Sequence, residues 1–341
     1  MRTRTGPFFV ALAAAILLCA AATASPQSGG FRFEAQDTAG TRWFKGNTHT
    51  HTLESDGDAS PEEVAAWYRD NGYNFLVLSD HNVLTDPARL ADMFTEEFIL
   101  IPGEEVTSSF ERRPVHINGI NINALVVPQT ADTMVGTIQR NIDAIREVEG
   151  APHINHPNFG WAYGAEELAQ VQDDRLLEIY NGHPAVNNDG GGDSPGMEAV
   201  WDYLLTRGKR IYGIAVDDAH HFKTIGRNLA NPGRGWVTVR AADLDPVSIV
   251  AGLESGAFYA STGVELDDVV VRGRRIEVHI RQQGSFKYVT QFIGAGGRML
   301  LETGANPAVF ELNGPEVYVR AVVRDSGGWR AWVQPVFVVT N

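Results

Sequence analysis

The chain has 341 residues and a formal net charge of −14 at pH 7, with 28 Lys and Arg residues against 42 Asp and Glu residues. Such an acidic chain lacks the basic surface that neutralises nucleic-acid phosphates, so its composition disfavours a nucleic-acid partner. A single cysteine, Cys19, excludes an internal disulfide, and no apolar run is long enough to span a bilayer.

The first residues have the pattern of an export signal. Two arginines precede a short apolar run, and Ala22-Thr23-Ala24 then supplies the small residues of a cleavage site. This pattern predicts cleavage near Ala24 and a secreted or periplasmic protein from which Cys19 has been removed. The remaining length suits one α/β barrel with a small second domain.

The segment from residue 46 to residue 82 predicts a strand, a helix and a second strand. Its opening, "GNTHTHT", places His49 and His51 one residue apart. The run that begins at Ser60 is a capping box with proline at the first helical position, and Gly72 is typical of a helix end. The apolar run "YNFLVLSDHN" then predicts a strand that ends at His81.

The same order of strand, polar residues and helix recurs downstream. "FILIPGEEVT", "VHINGINI" and "RIYGIAVDDAHH" predict strands, whereas residues 133–149 and "MEAVWDYLLTRG" predict helices. Alternation of this kind predicts βα repeats, in which the C-terminal ends of the strands converge on one face. The polar residues of these strands and strand ends include Glu104, Glu105, His116, His156, Asp218 and His220.

The pattern of predicted secondary structure changes near residue 266. Strand patterns joined by glycine-rich turns follow, without helical periodicity, and they predict a small antiparallel, sandwich-like β domain. We therefore divide the chain into a signal peptide (1–24), a linker (25–45), a barrel (46–266) and a C-terminal β domain (267–341).

The histidines and acidic residues of the barrel region form a pattern that core packing does not explain. His49 and His51 point to the same side of an extended segment, because side chains alternate with a period of two, so both imidazoles can bind one ion. A carboxylate such as Glu105 can bridge two divalent ions. Mixed ligands of this kind suit zinc, manganese or iron, and ions held in this way activate water.

The motifs "HTHTLESDG", "LSDHN", "PGEEVT", "VHINGI", "NHPN" and "DDAH" resemble, in the same order, those of the PHP (polymerase and histidinol phosphatase) family of metal-dependent phosphoesterases. The export signal and the segments "GRGWVTVRA" and "GAFYASTGVEL" are similar to its CehA/McbA-type branch. This resemblance implies an irregular (β/α)7 barrel and two or three divalent metal ions.

The resemblance also implies a distribution of ligands among the ions. His49, His51, Glu105 and Asp218 would surround the first ion, and Glu105 would bridge to a second ion held by His116 and His156. The ligands of a third ion would be Asp56, His81 and His220. Arg227 and Arg234 are candidates for binding an anionic substrate through bidentate hydrogen bonds, or are solvated turn residues.

Several neighbours of these residues have two open interpretations. Asp80 either orients an imidazole or caps a strand end, Glu104 either supports the site or faces solvent, and His153 is either a packed or a hydrogen-bonded histidine. The function predicted is an exported hydrolase that attacks a phosphoester, ester, amide or carbamate bond of a small molecule. The alternative is a non-catalytic periplasmic or extracellular binding protein that metal ions only stabilise.

Overall fold

The computed structural model describes residues 1–2, 6, 30–34 and 38–340. The export signal, with Cys19 and the cleavage point near Ala24, lies almost wholly outside these described residues, so export stays a prediction. Among the helices that are described, none is long and apolar enough to cross a membrane.

Five α-helices occur in the described part of the chain, and the cap predicted for the first is confirmed. Ser60 Oγ accepts the N–H of Glu63, whose carboxylate accepts the N–H of Ser60. The fifth helix was not predicted, although Asp245 caps it by accepting two backbone N–H groups. The helices are α1 (Pro61–Asp70), α2 (Met134–Glu147), α3 (Ala165–Leu168), α4 (Met197–Thr206) and α5 (Pro246–Ser255), with 3₁₀ helices at Pro87–Met93 and Ala295–Gly297.

Strands make up most of the remaining structure. The strands of the first part are β1 (Phe31–Phe33), β2 (Arg42–Asn47), β3 (Phe75–Val77), β4 (Ile99–Ile101), β5 (Gly103–Phe110), β6 (Arg113–Ile120), β7 (Ala151–Ile154), β8 (Leu176–Asn181), β9 (Gly190–Gly191), β10 (Ser194–Pro195), β11 (Tyr212–Val216), β12 (Trp236–Ala241) and β13 (Phe258–Ser261). The later strands are β14 (Leu266–Arg272), β15 (Arg275–Ile280), β16 (Tyr288–Gly294), β17 (Arg298–Thr303), β18 (Ala308–Glu311), β19 (Tyr318–Asp325) and β20 (Arg330–Thr340).

Two large sheets, beside the small β9-β10 pair, build the part of the molecule that was predicted to be a barrel. Strands β2, β3 and β4 are parallel and belong to a ten-stranded sheet ordered β17-β16-β19-β20-β13-β12-β2-β3-β4, with β1 added beside β20. The other sheet has five strands in the order β11-β8-β7-β6-β5, and it mixes parallel with antiparallel pairs. The protein is thus a mixed α/β structure with many strands and few helices.

The ladders of these two sheets do not close into the expected (β/α)7 barrel. Pro102 follows β4 and has no N–H to continue the ladder, and β5 then pairs antiparallel with β6. Isolated β-bridges, Thr50 with Ala219 and His81 with Glu105, join the backbones of the two sheets. Both bridges lie near the ends of strands, and their residues either are predicted site residues or stand next to them.

The C-terminal strands are antiparallel, as predicted. β14, β15 and β18 form a separate three-stranded sheet, whereas β16, β17, β19 and β20 continue the ten-stranded sheet beyond β13. One apolar cluster packs α2, α4 and α5 against the strands of the first part, and a second lies between the C-terminal strands. The domain boundary at residue 266 stays a prediction.

Candidate metal centre

The two histidines of "HTHT" lie just beyond β2 and point to the same side. Both are fully buried, and their Nε2 atoms are 3.1 Å apart. Asn47 fixes the turn, since its Oδ1 accepts the N–H of His49. The extended geometry expected from a period of two therefore places two imidazole nitrogens at one point.

Two buried carboxylates face this pair of histidines. Asp218 Oδ1 lies 3.3 Å from His49 Nε2 and 3.2 Å from His51 Nε2. Glu105 Oε2 lies 3.5 Å from each of the same two nitrogens. The four residues predicted around the first ion thus converge on one point, although His49 and Asp218 are far apart in sequence.

The other oxygen of Glu105 faces a second pair of histidines. Its Oε1 lies 3.0 Å from His116 Nδ1 and 3.4 Å from His156 Nε2. One carboxylate between two sets of imidazoles is the arrangement required of a bridging ligand. Glu105 Oε2 and His116 Nδ1 are also buried without a hydrogen-bond partner. A divalent ion fits these atoms, because it would satisfy both.

The three residues predicted around a third ion lie at the open side of the cluster. Asp56 Oδ1 is 3.3 Å from His220 Nε2, and Asp56 Oδ2 is 3.6 Å from His81 Nε2. The Asp56 side chain is 54% exposed, whereas His81 and His220 are mostly covered. This is the most accessible part of the cluster.

The distances allow more than one distribution of the nine residues. Four sets have ligand atoms within 4.8 Å of one another, and four residues each belong to two of the sets: His49, His51, His81 and Glu105. The sets are His51, Asp56, His81 and His220; His49, His51 and Glu105; His49, His156 and Asp218; and His81, Glu105 and His116. The nine predicted ligands are therefore together, and the ion that each one binds stays a prediction.

Two of these residues have unusual backbone conformations. His156 has φ of +23° and Asp218 has φ of +49°, in the region that residues with a side chain seldom occupy. Asp218 is the second residue after β11, and its N–H donates to the carbonyl of His49, which lies just beyond β2 of the other sheet. Such strain persists where surrounding structure fixes it, and it is concentrated at functional sites.

Charge in the cluster is balanced between acids and imidazoles. Burial opposes ionisation of His81, but the nearby carboxylates of Asp56 and Glu105 raise its pKa to about 10. Burial likewise opposes ionisation of Glu105, but His116 and His49 hold its pKa well below the ordinary value. The carboxylates therefore favour protons on the histidines, and protons compete with metal ions for the same nitrogens.

Glu178 on β8 is part of the site and was missed from the sequence. Its Oε1 accepts Nδ1–H of His49 at 2.6 Å, and its Oε2 accepts the N–H of His156 at 2.8 Å. The hydrogen bond at Nδ1 leaves His49 Nε2 free to bind an ion. A lone carboxylate in the buried run "LLEIYN" is the signal that could have revealed this role.

Three further residues fix the ligands. Asn155 Nδ2 donates to Glu105 Oε1 at 2.8 Å, and Asn181 Nδ2 donates to Asp218 Oδ2 at 3.0 Å. Thr107 Oγ lies 2.6 Å from His81 Nδ1. None of the three was singled out from the sequence, because asparagine and threonine are ordinary residues at strand ends.

The residues with two open interpretations have distinct positions. Asp80 accepts hydrogen bonds from Thr52 and Ser55, so it holds the loop after β2, and no imidazole among the described residues is hydrogen-bonded to it. Glu104 is fully buried away from the ligands, where its Oε1 accepts the N–H of Val126. His153 is fully buried, and burial lowers its pKa to about 4.

The two candidate arginines differ in their surroundings. Arg227 is exposed. Arg234 donates to the carbonyls of Gly182 and Gly226 and to Asn231 Oδ1, so its guanidinium joins two loops. Binding of substrate by either arginine stays a prediction.

A cavity of about 130 Å³ opens onto the cluster. Most of the predicted ligands line its wall, together with Phe159 and His183. By liquid volume it has room for roughly four water molecules, which suits one small group of a substrate. The residues lining the cavity are His51, Asp56, His81, Glu105, His116, His156, Phe159, His183, Asp218 and His220.

Comparison with known proteins identifies two curated relatives, and no family model matches the chain. The 5′-3′ exoribonuclease of Haemophilus influenzae is 34% identical over 194 residues, which cover 50% of this chain and 67% of that protein. The 5′-3′ exoribonuclease Rnm of Escherichia coli is 28% identical over 200 residues, covering 54% of this chain. The chain spans 64% of the length of the Escherichia coli protein.

Solved structures with a similar arrangement are more distant in sequence. A two-domain protein of Bacteroides vulgatus, described as containing a predicted PHP-like metal-dependent phosphoesterase, is 14% identical. It matches with a TM-score of 0.49 over 89% of this chain and 98% of its own. An amidohydrolase of Chromobacterium violaceum is 17% identical, with a TM-score of 0.41 over 62% of this chain and 96% of its own.

Proposed function

This chain belongs to the family of the 5′-3′ exoribonuclease of Haemophilus influenzae, and from that membership we propose that it is a metal-dependent hydrolase of phosphoester bonds. The observation that carries the proposal is the position of Glu105, whose two oxygens face two separate pairs of histidines in the wall of a cavity of about 130 Å³. Nine donor side chains meet there, and hard and borderline divalent ions bind such sets.

The chain's own residues would bind the ions and hold the substrate group between them. Divalent ions bound there would supply activated water and would polarise a phosphoryl oxygen. Glu178 keeps His49 Nε2 directed at the ions, and Asn155 and Asn181 hold the two carboxylates. These three ligands are thus fixed before substrate binds, which reduces reorganisation during the reaction.

The finer assignment has three parts. We propose two or three ions of zinc, manganese or iron, with the ligand distribution that the PHP resemblance implies. We also propose an exported protein of the CehA/McbA-type branch, because the signal pattern at the N-terminus supports it. We propose a small phosphomonoester as the substrate, because the chain's charge of −14 opposes a polyanion and the cavity of about 130 Å³ has room for one phosphoryl group.

A second candidate function is cleavage at the 5′ end of RNA. It is favoured by the names of both curated relatives, which are 5′-3′ exoribonucleases. The formal charge of −14 argues against it, because an acidic protein repels a polyanion. Cleavage of esters, amides or carbamates would use the same ions at a carbon centre, whereas a binding protein would cleave none of these bonds.

The proposal is tested by metal analysis of purified protein, followed by assays of zinc- and manganese-loaded protein on four chromogenic substrates and a 5′-phosphorylated RNA. The chromogenic substrates are a phosphomonoester, a phosphodiester, a carboxylester and a carbamate. His49→Ala and Asp218→Ala should lose bound metal and activity together. His279→Ala is the matched control, because His279 lies on β15 outside the cluster. Less than one ion per chain, or full activity in both ligand variants, would exclude the proposed centre.

A further inference from the structure

His183 lies in the wall of the cavity but is separate from the candidate metal ligands. It lines the cavity together with His156, Asp218 and His220, and its ring lies edge-on to that of His220 at 5.4 Å between centroids. It belongs to none of the four sets of described residues whose atoms are close enough to share an ion. The proposed function leaves this histidine without a role.

The hydrogen bonding of His183 fixes its tautomer. The backbone N–H of Ala185 donates to His183 Nδ1 at 3.1 Å. Because an N–H group can only donate, Nδ1 must be the unprotonated nitrogen, and the neutral ring then carries its proton on Nε2. Within the described structure, no protein acceptor is hydrogen-bonded to that Nε2–H.

The segment that carries His183 is held firmly. The N–H of His183 donates to Asn181 Oδ1 at 2.8 Å, and the same asparagine donates to Asp218. Arg234 donates to the carbonyl of Gly182, directly before His183, at 3.0 Å. The ring packs edge to face against Phe159, with centroids 6.3 Å apart. The donor is therefore positioned by the same network that positions a candidate ligand.

The charges around the cavity make such a donor useful. The acidic groups that line it are Asp56, Glu105 and Asp218, which attract metal ions but repel an anionic substrate. A neutral N–H adds a hydrogen bond without adding a charge that would compete with the ions.

We propose that His183 is a substrate-binding catalytic residue, whose Nε2–H donates a hydrogen bond to a non-bridging oxygen of the phosphoryl group in the cavity. The inference rests on the proposed function and names a residue for it. The hydrogen bond strengthens as negative charge accumulates on that oxygen, so His183 contributes more to the transition state than to substrate binding. No proton is transferred in this role.

The test compares His183→Phe and His183→Gln with the unaltered protein, all zinc-loaded. Phenylalanine keeps the ring and removes the donor, whereas the glutamine amide can donate from nearly the same place. We expect His183→Phe to lower kcat by about 10²-fold with a smaller change in KM. His183→Gln should retain more of kcat than His183→Phe, and both should keep the zinc content of the unaltered protein.

A second measurement does not depend on activity. In zinc-loaded protein with 15N-labelled histidine, the His183 signals should show an Nε2–H tautomer, and the Nε2 resonance should shift when inorganic phosphate is added. An Nδ1–H tautomer, an unshifted resonance, unchanged kcat in His183→Phe, or loss of zinc in both variants would each overturn the inference. Inactivity of the unaltered protein on every substrate, with the phosphate shift present, would instead count against the proposed function alone.

Discussion

Replacing Glu178 by glutamine should weaken metal binding although Glu178 is not itself a candidate ligand. Its carboxylate is 1% exposed, and it accepts Nδ1–H of His49 at 2.6 Å. Glutamine removes the negative charge that makes this imidazole a better donor to an ion. Its NH₂ group would also face the N–H groups of His156 and Asn181, which now donate to Oε2.

The structure sets the size of the expected effect. Loss of a partner that orients a metal-binding histidine lowers metal affinity about 10- to 100-fold, or about 1.4–2.7 kcal/mol. Because glutamine must either lose the bond to His49 or place NH₂ against two donors, we expect the upper part of this range. Competition with a zinc-binding dye at constant pH measures the affinity directly.

A matched control separates this effect from a general loss of a His–Glu pair. Glu277→Gln alters a pair with His279, 3.3 Å apart, on β15 away from the cluster. It should leave zinc affinity unchanged. If Glu178→Gln bound zinc within twofold of the unaltered protein, the assigned role of Glu178 would be wrong. Thermal unfolding of the metal-free proteins checks that both variants are folded.

Three further predictions concern stability. Arg320→Ala should lower the free energy of unfolding by about 3–5 kcal/mol, because Asp202 loses the buried guanidinium that now donates hydrogen bonds to both its oxygens. Denaturant titration measures this change, and a loss below 1 kcal/mol would contradict the prediction. Burial raises the pKa of Glu104 from 4.5 to about 7, so the native chain binds more protons between these values and loses stability as pH rises through them. The change in unfolding free energy caused by Glu104→Gln, relative to the unaltered protein, should therefore be more stabilising at pH 8 than at pH 5, by up to about 3 kcal/mol. An equal change at both pH values would refute the assignment. Chelation of bound metal should lower Tm, and adding zinc back should restore it. With zinc at 100 times its Kd, the gain in the free energy of unfolding is about 2.7 kcal/mol. An unchanged Tm would show that metal does not stabilise the fold.

The sequence by itself determined the chemical identity of the cluster. Residue type and local spacing are enough to place His49 and His51 on one side of an extended segment, because backbone geometry alternates side chains with a period of two. The capping box of α1 is local in the same way, since all its bonds lie within four residues. The full set of nine candidate ligands came from the resemblance of the motifs along the chain to those of the PHP family.

Only the tertiary structure decided how these residues meet. Glu178 and His49 are 129 positions apart, and their hydrogen bond exists because β8 packs beside β7 and faces the end of β2. The ladder is interrupted at Pro102, and two sheets form in place of a closed barrel because β5 pairs with β6. Contacts between distant segments are fixed by packing of the whole chain, which no local pattern records.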